Sequence, residues 1–143
     1  HGMLYLTAEV ERPTARGIVD GVKSVDADLI LMLAGDIVAE ECDRAGVAMA
    51  HEGYIDLDYT EAGTLHLPEV RVPRDPAQMV ERALGLIRDG RVQNKEGSWR
   101  DVPTHTICIH GDTPNAPEIA KTVRAALETE GIEIVGLRDM VAA

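Results

Sequence analysis

The segment His110-Gly111-Asp112 carries two side chains that could take part in catalysis, and a glycine separates them. It follows a short apolar run that ends at Ile109. An imidazole with a nearby carboxylate can act as a base and its orienting partner, or the two can bind a divalent metal. Gly111 would let the backbone bend and approach a ligand closely. The alternative is structural: Asp112 caps the following turn and His110 borders the core. Spacing alone leaves both interpretations open.

A second group of candidate side chains lies in the segment HEGYIDLDY, where Glu52, Asp56 and Asp58 follow a short apolar stretch at 47–51. Carboxylates in such a position can bind a metal, orient a water molecule or hold an ammonium group. A solvated acidic loop is the competing interpretation of the same residues.

Strand-like and helix-like segments alternate along the chain, which predicts an α/β fold of parallel strands joined by right-handed crossovers. Ligands in such folds bind beyond the carboxyl ends of the strands. We therefore expect the polar residues after three strands to form one functional rim, including His110 and Asp112. The predicted strands are 28–33, 47–51, 104–110 and 132–135, and the predicted helices are 13–25, 36–45, 77–88 and 117–130.

Several local features of these elements can be predicted. The continuous apolar run at 28–33 is typical of a strand that is buried on both faces of a sheet. Asp36 is a plausible N-cap of the next helix and Gly46 its C-terminal stop. No periodicity dominates from 52 to 76, which predicts a long irregular loop. The segment around Glu96-Gly97 has the pattern of a polar hairpin.

The composition narrows the classes of function. Of the 143 residues, 45% are hydrophobic and 27% are charged, which is typical of a folded chain, and we expect one domain over residues 1–143. The net charge of −11 argues against nucleic-acid or anionic-membrane partners, since both require a basic face. No apolar run approaches the roughly 20 residues that span a bilayer. Cys42 and Cys108 lie within apolar patterns as expected free thiols, which suits the cytoplasm.

Three segments in this order, HGMLY, HEGYIDLDY and TICIHGDTPNA, resemble the motifs of the LamB/YcsF family, whose members include components of 5-oxoprolinase. The resemblance implies a (β/α) barrel similar to the glycoside hydrolase/deacetylase fold. The family's Asp-Leu-Asn, Cys-Gly-x-His-Ala-Gly-Asp and Gly-Ala-His-Pro-Ser motifs do not occur in this sequence. We therefore expect the chain to correspond to the C-terminal part of such a barrel, with the N-terminal half absent.

The activity that the resemblance implies is the ATP-dependent opening of 5-oxoproline, a lactam, to L-glutamate. It also implies ATP, together with Mg²⁺, as the energy source, and 5-oxoprolinase subunits B and C as partners. A directly bound divalent metal and self-association of the chain both remain open. Two alternatives stand beside this function. One is a metal-dependent amide or lactam hydrolase of deacetylase-like fold, and the other is a non-catalytic scaffold component of a hydrolase complex.

The resemblance also assigns roles to individual residues, with no metal ligand among them. The expected catalytic residues are His110, Asp112, Asp56 and Glu52. The expected substrate-binding residues are His1, Tyr59 and Gly111. Leu57 stands where the family has an arginine, and this departure removes a natural clamp for a carboxylate or phosphate.

Overall fold

Strands and helices alternate in the computed structural model, which describes residues 2–142. The predicted α/β class with parallel strands is confirmed. The chain divides into two compact units, His1–Glu52 with Val135–Ala143, and Gly53–Ile134. The expectation of one domain over residues 1–143 stays a prediction.

The first unit packs three helices against a pair of parallel strands. The strands pair with Ile30 opposite Ala48 and Leu33 opposite His51. Small and branched apolar side chains fill the space between helices and strands, and aromatic rings are not among the fully buried ones. The elements are α1 (Met3–Val10), α2 (Arg12–Val25), β1 (Ile30–Leu33), α3 (Asp36–Ala45), the beginning of β2 (Ala48–Tyr54) and α6 (Leu137–Ala142). The buried residues are Ala8, Ala15, Val19, Leu33, Val38, Cys42, Ala45 and Val47.

The ends of α3 test two sequence predictions. Gly46 has φ +67°, a left-handed conformation that ends the helix, as predicted. The prediction that Asp36 is the N-cap was wrong, because Gly35 occupies that position and Asp36 is the first helical residue. Gly35 has φ +96°, which L side chains rarely adopt, so a backbone requirement outweighs the capping preference of aspartate here.

Glu41 joins α2 to α3 through a buried carboxylate with three arginine partners. Its oxygens lie 2.9 Å from Arg16 Nε, 2.6 Å from Arg44 Nε and 2.9 Å from Arg12 Nη1. These hydrogen bonds, against the opposing effect of burial, hold the pKa of Glu41 well below its usual range. The cluster is therefore a structural ion-pair network of the first unit.

Two strand predictions at the edges of the chain need correction. β1 is shorter than the predicted run at 28–33, and its Met32 side chain is 45% exposed, so burial on both faces was wrong. Residues 132–135 form no strand, and Ile134 and Val135 are exposed. A short apolar run becomes a strand only where its backbone finds a pairing partner, which periodicity does not reveal. The helix α1 was not predicted at all.

The second unit combines two small antiparallel hairpins with two helices and one strand beside the end of β2. The hairpin predicted around Glu96-Gly97 is confirmed, with Arg91 opposite Asp101. The segment 52–76 is less irregular than predicted, because it contains the end of β2 and a tight hairpin. The elements are β3 (Asp58–Tyr59), β4 (Leu65–His66), α4 (Pro76–Leu84), a π-helical continuation of α4 (Gly85–Asp89), β5 (Arg91–Gln93), β6 (Trp99–Asp101), β7 (Thr106–Cys108) and α5 (Ala116–Thr129). β7 is the neighbour of β2 in its sheet.

Local chemistry explains where the helices of this unit begin. The Asp75 side chain accepts a hydrogen bond from the Ala77 N–H, and Pro76 occupies the first turn of α4. Pro117 occupies the corresponding place in α5. α4 and α5 pack on each other through apolar stripes that include Met79 and Ile119. These helices support the loops that carry the candidate site.

None of the helices within residues 2–142 has the length and apolarity that crossing a membrane requires.

Candidate active site

Asp56 lies between β2 and β3 with its side chain fully buried, and it is the centre of a hydrogen-bonded group. Its Oδ1 lies 2.8 Å from Nδ1 of His110. Its Oδ2 accepts hydrogen bonds from the His110 backbone N–H at 2.8 Å and from the Thr113 hydroxyl at 2.7 Å. The carboxylate therefore holds both the ring of His110 and the turn that follows β7. The structure thus brings together Asp56 and His110, two of the predicted site residues.

The charge of Asp56 determines which form of His110 is present. Burial by itself raises the pKa of Asp56, but the hydrogen bonds from His110 and Thr113 outweigh burial, and the pKa is lowered overall. Asp56 is consequently ionised at neutral pH and can only accept hydrogen bonds. Nδ1 of His110 must then carry a hydrogen, and in the neutral imidazole Nε2 is left as the basic nitrogen. Nε2 lies 3.9 Å from the Sγ atom of Cys108.

Two buried tyrosines support the imidazole from one side. The Tyr54 ring stacks on His110, with ring centroids 6.0 Å apart and planes inclined by 18°. The Tyr54 backbone N–H donates to the hydroxyl oxygen of Tyr59 at 2.9 Å. Tyr59 is 3% exposed, so the structure gives this predicted substrate-binding residue a supporting contact with Tyr54. The orientation of His110 is thus restrained by a ring face as well as by Asp56.

Gly53, just before Tyr54, is expected to tolerate no larger residue without cost. A Cβ atom there would lie 2.7 Å from the Thr104 side chain and 3.1 Å from Leu86. Gly53→Ala should destabilise the protein by about 1 kcal/mol, since the Thr104 side chain can turn aside. Gly17→Ala, at an open position of α2, is the matched control and should stabilise slightly. Urea unfolding measures both, and equal midpoints for the two variants would contradict the expectation.

A cavity of about 230 Å³ opens beside Asp56 and contains charges of both signs on its wall. Asp58 is engaged there by Arg74, whose Nη2 lies 2.7 Å from Asp58 Oδ1. Arg74 also donates from Nε to the backbone oxygen of Asp56 at 3.1 Å. Its backbone exchanges hydrogen bonds with the Asn115 side chain, at 3.0 Å and 2.8 Å. Arg74 therefore fixes the wall of the cavity, a role for which the sequence offered only its position in a proline-rich loop.

The side chain of Asp112 lies toward solvent and contacts Arg71. It is 64% exposed, and its Oδ2 lies 3.3 Å from Nε of Arg71, whose side chain is only 16% exposed. The interpretation of Asp112 as the partner that orients His110 is corrected, because Asp56 holds Nδ1 of that ring. Gly111 has no positive φ and has open space at its Cβ position, so the turn itself does not require glycine.

Glu52 belongs to the first unit, where it contacts Tyr5. Its Oε2 lies 2.5 Å from the Tyr5 hydroxyl, which also lies 2.6 Å from the backbone oxygen of Met32. Burial, together with the charge of Glu52, raises the pKa of the neighbouring Glu9 to about 7. His1, predicted to bind substrate, lies outside the described residues. Within residues 2–142, no group of three or more His, Cys, Asp or Glu side chains is arranged to hold a metal ion.

Comparisons with known proteins agree on one family. The chain is 37% identical to the first (A) component of 5-oxoprolinase from Pyrococcus horikoshii, an alignment that covers 99% of this chain and 56% of that protein. It is 39% identical to the corresponding component of 5-oxoprolinase from Thermus thermophilus, over 94% of this chain and 55% of that protein. The crystal structure of a lactam utilization protein from Thermus thermophilus superposes with a TM-score of 0.77 at 36% identity, covering 94% of this chain and 54% of that one.

The chain spans about half the length of these relatives. The sequence pattern that defines the LamB/YcsF family matches residues 1–142. This match and the identities above lead to one conclusion: the chain belongs to the LamB/YcsF family.

Proposed function

We propose that this chain is part of a 5-oxoprolinase that opens the lactam ring of 5-oxoproline to L-glutamate. The names of its relatives support this substrate class. The observation that carries the proposal is the Asp56–His110 pair beside a cavity, since hydrolysis of an amide requires a positioned base.

In the proposed mechanism, Nε2 of His110 removes a proton from a water molecule as its oxygen attacks the lactam carbonyl carbon. The ionised Asp56 stabilises the imidazolium that forms and keeps Nδ1–H directed at its own carboxylate. His110 then returns the proton to the ring nitrogen as the C–N bond breaks. A five-membered lactam is little strained, so we infer that ATP activates its carbonyl by phosphorylating the oxygen.

The remaining components are proposals of the same kind. Mg²⁺ accompanies ATP, and subunits B and C complete the enzyme. The chain forms the C-terminal part of a (β/α) barrel, which its parallel strands and its coverage of about half of each relative support. Two free thiols, the buried Cys42 and the half-buried Cys108, support a place in the reducing cytoplasm.

The test uses the protein expressed from its complete gene together with subunits B and C. Glutamate release from 5-oxoproline is followed with and without ATP, and we expect release only when ATP and all partners are present. His110→Gln should abolish it. Release that ignores ATP but is lost to a chelator and restored by zinc would favour a metal-dependent amide hydrolase instead. Unchanged release by the His110→Gln variant would favour a scaffold role.

A further inference from the structure

Arg71 is a sheltered cation with a weak partner. Its side chain is 16% exposed, yet within residues 2–142 its side-chain polar contact is a single one of 3.3 Å to the largely exposed Asp112. Arg74, from the same loop, is by contrast fully engaged by Asp58 and by backbone oxygen. Guanidinium groups removed from water normally have close, well-directed anionic partners. Arg71 thus retains capacity to bind an anion.

The wall around Arg71 favours a negative ligand. The carboxylate of Asp56 is neutralised by its contacts with His110 and Thr113, and that of Asp58 by Arg74. Lys95 adds another cation to the same cavity. The remaining charge of the wall is therefore positive, in a chain whose net charge is −11. Such a local reversal attracts anions against the field of the whole protein.

We propose that Arg71 is the residue that binds the carboxylate of the substrate, with Lys95 beside it, and that Asp112 is the internal anion which this carboxylate replaces. The inference rests on the proposed function. Arginine offers a planar fork that matches a carboxylate with two parallel hydrogen bonds. The cavity of about 230 Å³ is smaller than the 300–1,000 Å³ of sites for drug-sized ligands, which suits a small lactam acid better than a nucleotide.

The position of the cavity connects this role with the chemistry. Asp56 and Thr113 lie on its wall, and both contact each other beside His110. A lactam held by its carboxylate at Arg71 would therefore have one end anchored within the same group of loops that orients the base. Anchoring of this kind affects binding of substrate more than the rate of the bound complex.

The first experiment measures steady-state kinetics of the assembled enzyme with Arg71→Gln and Arg71→Lys. Arg124→Gln, which removes an exposed ion pair with Glu128 on α5, is the matched control. We expect Arg71→Gln to raise KM for 5-oxoproline by about 10-fold or more, with kcat within a few-fold and KM for ATP unchanged. Arg71→Lys keeps the charge and should raise KM less. An unchanged KM for 5-oxoproline would overturn the proposal, and so would a rise confined to KM for ATP, which would assign Arg71 to phosphate.

The second experiment separates this inference from the proposed function. Calorimetry compares binding of 5-oxoproline with binding of 2-pyrrolidone, the same lactam without its carboxylate. Wild-type protein should prefer 5-oxoproline, and Arg71→Gln should remove the preference while leaving the affinity for 2-pyrrolidone unchanged. A wild-type enzyme that releases no glutamate but shows this Arg71-dependent preference would refute the proposed function and support the carboxylate site. A wild-type protein without the preference would refute the site. If Arg71→Gln does not fold, Arg71→Lys decides both measurements.

Discussion

Asp56→Asn is expected to lower turnover of 5-oxoproline on the order of 10³–10⁴-fold while the protein remains folded. The amide keeps the size of the side chain, but it presents an NH₂ group where the carboxylate accepted a hydrogen bond from Nδ1 of His110. The imidazole then places its hydrogen on Nε2 and loses its basic nitrogen there. Losses of this size follow the same replacement in the catalytic triads of serine proteases.

Asp75→Asn is the matched control for this substitution. Asp75 caps α4 away from His110, and asparagine is an equally good N-cap, so both turnover and stability should stay near wild type. Turnover is measured as ATP-dependent glutamate release, and folding by circular dichroism. A folded Asp56→Asn protein with wild-type turnover would remove Asp56 and the orientation of His110 from the mechanism.

Acid unfolding offers an independent measurement on Asp56. Because its pKa is lowered from the usual 3.8 in the folded protein, ionised Asp56 stabilises the fold above that value. The stabilisation is lost as the pH falls through the lowered pKa. We therefore expect Asp56→Asn to reduce stability at pH 7 and to flatten its decline below about pH 4. Parallel pH profiles for the variant and the wild type would contradict this.

Glu9→Gln is expected to make the protein more stable at pH 8 and to change little at pH 4. Burial, with the nearby charge of Glu52, raises the pKa of Glu9 from 4.5 to about 7 in the folded state. A raised folded pKa means that the favourable contribution is present below pH 4.5 and is lost as the pH rises through 7. One carboxylate oxygen of Glu9 is also buried without a hydrogen-bond partner among the described residues. The neutral amide removes the cost of ionising a sheltered carboxyl.

The size of this effect follows from the pKa difference. After allowance for the partial exposure of Glu9, the gain at pH 8 is about 2 kcal/mol, which corresponds to a rise in Tm of several degrees. Thermal unfolding between pH 4 and pH 8 measures it, with Glu133→Gln as a control at an exposed glutamate. A Glu9→Gln profile that keeps the wild-type slope between pH 5 and pH 8 would show that Glu9 ionises normally.

Local patterns in the sequence determined much of the secondary structure. The apolar spacing of α2 and α5, the stop at Gly46 and the hairpin around Glu96-Gly97 all depend on residues within one or two turns of each other. Such features were predicted because short-range sterics and side-chain periodicity specify them. The motif HGD likewise marked His110 as a candidate base before any contact was known.

Only the tertiary structure decided which groups meet. Asp112 is two residues from His110, yet the carboxylate that holds Nδ1 belongs to Asp56, which is 54 residues away in the chain. The weakly paired Arg71 and the loop-fixing Arg74 gave no signal in the sequence, because an arginine in a loop has the same pattern whether it is solvated or faces a cavity. The apolar segment 132–135 has the composition of a strand and forms none. Partner choice depends on long-range packing and on desolvation at the point of contact, and neither is encoded in the spacing of neighbouring residues.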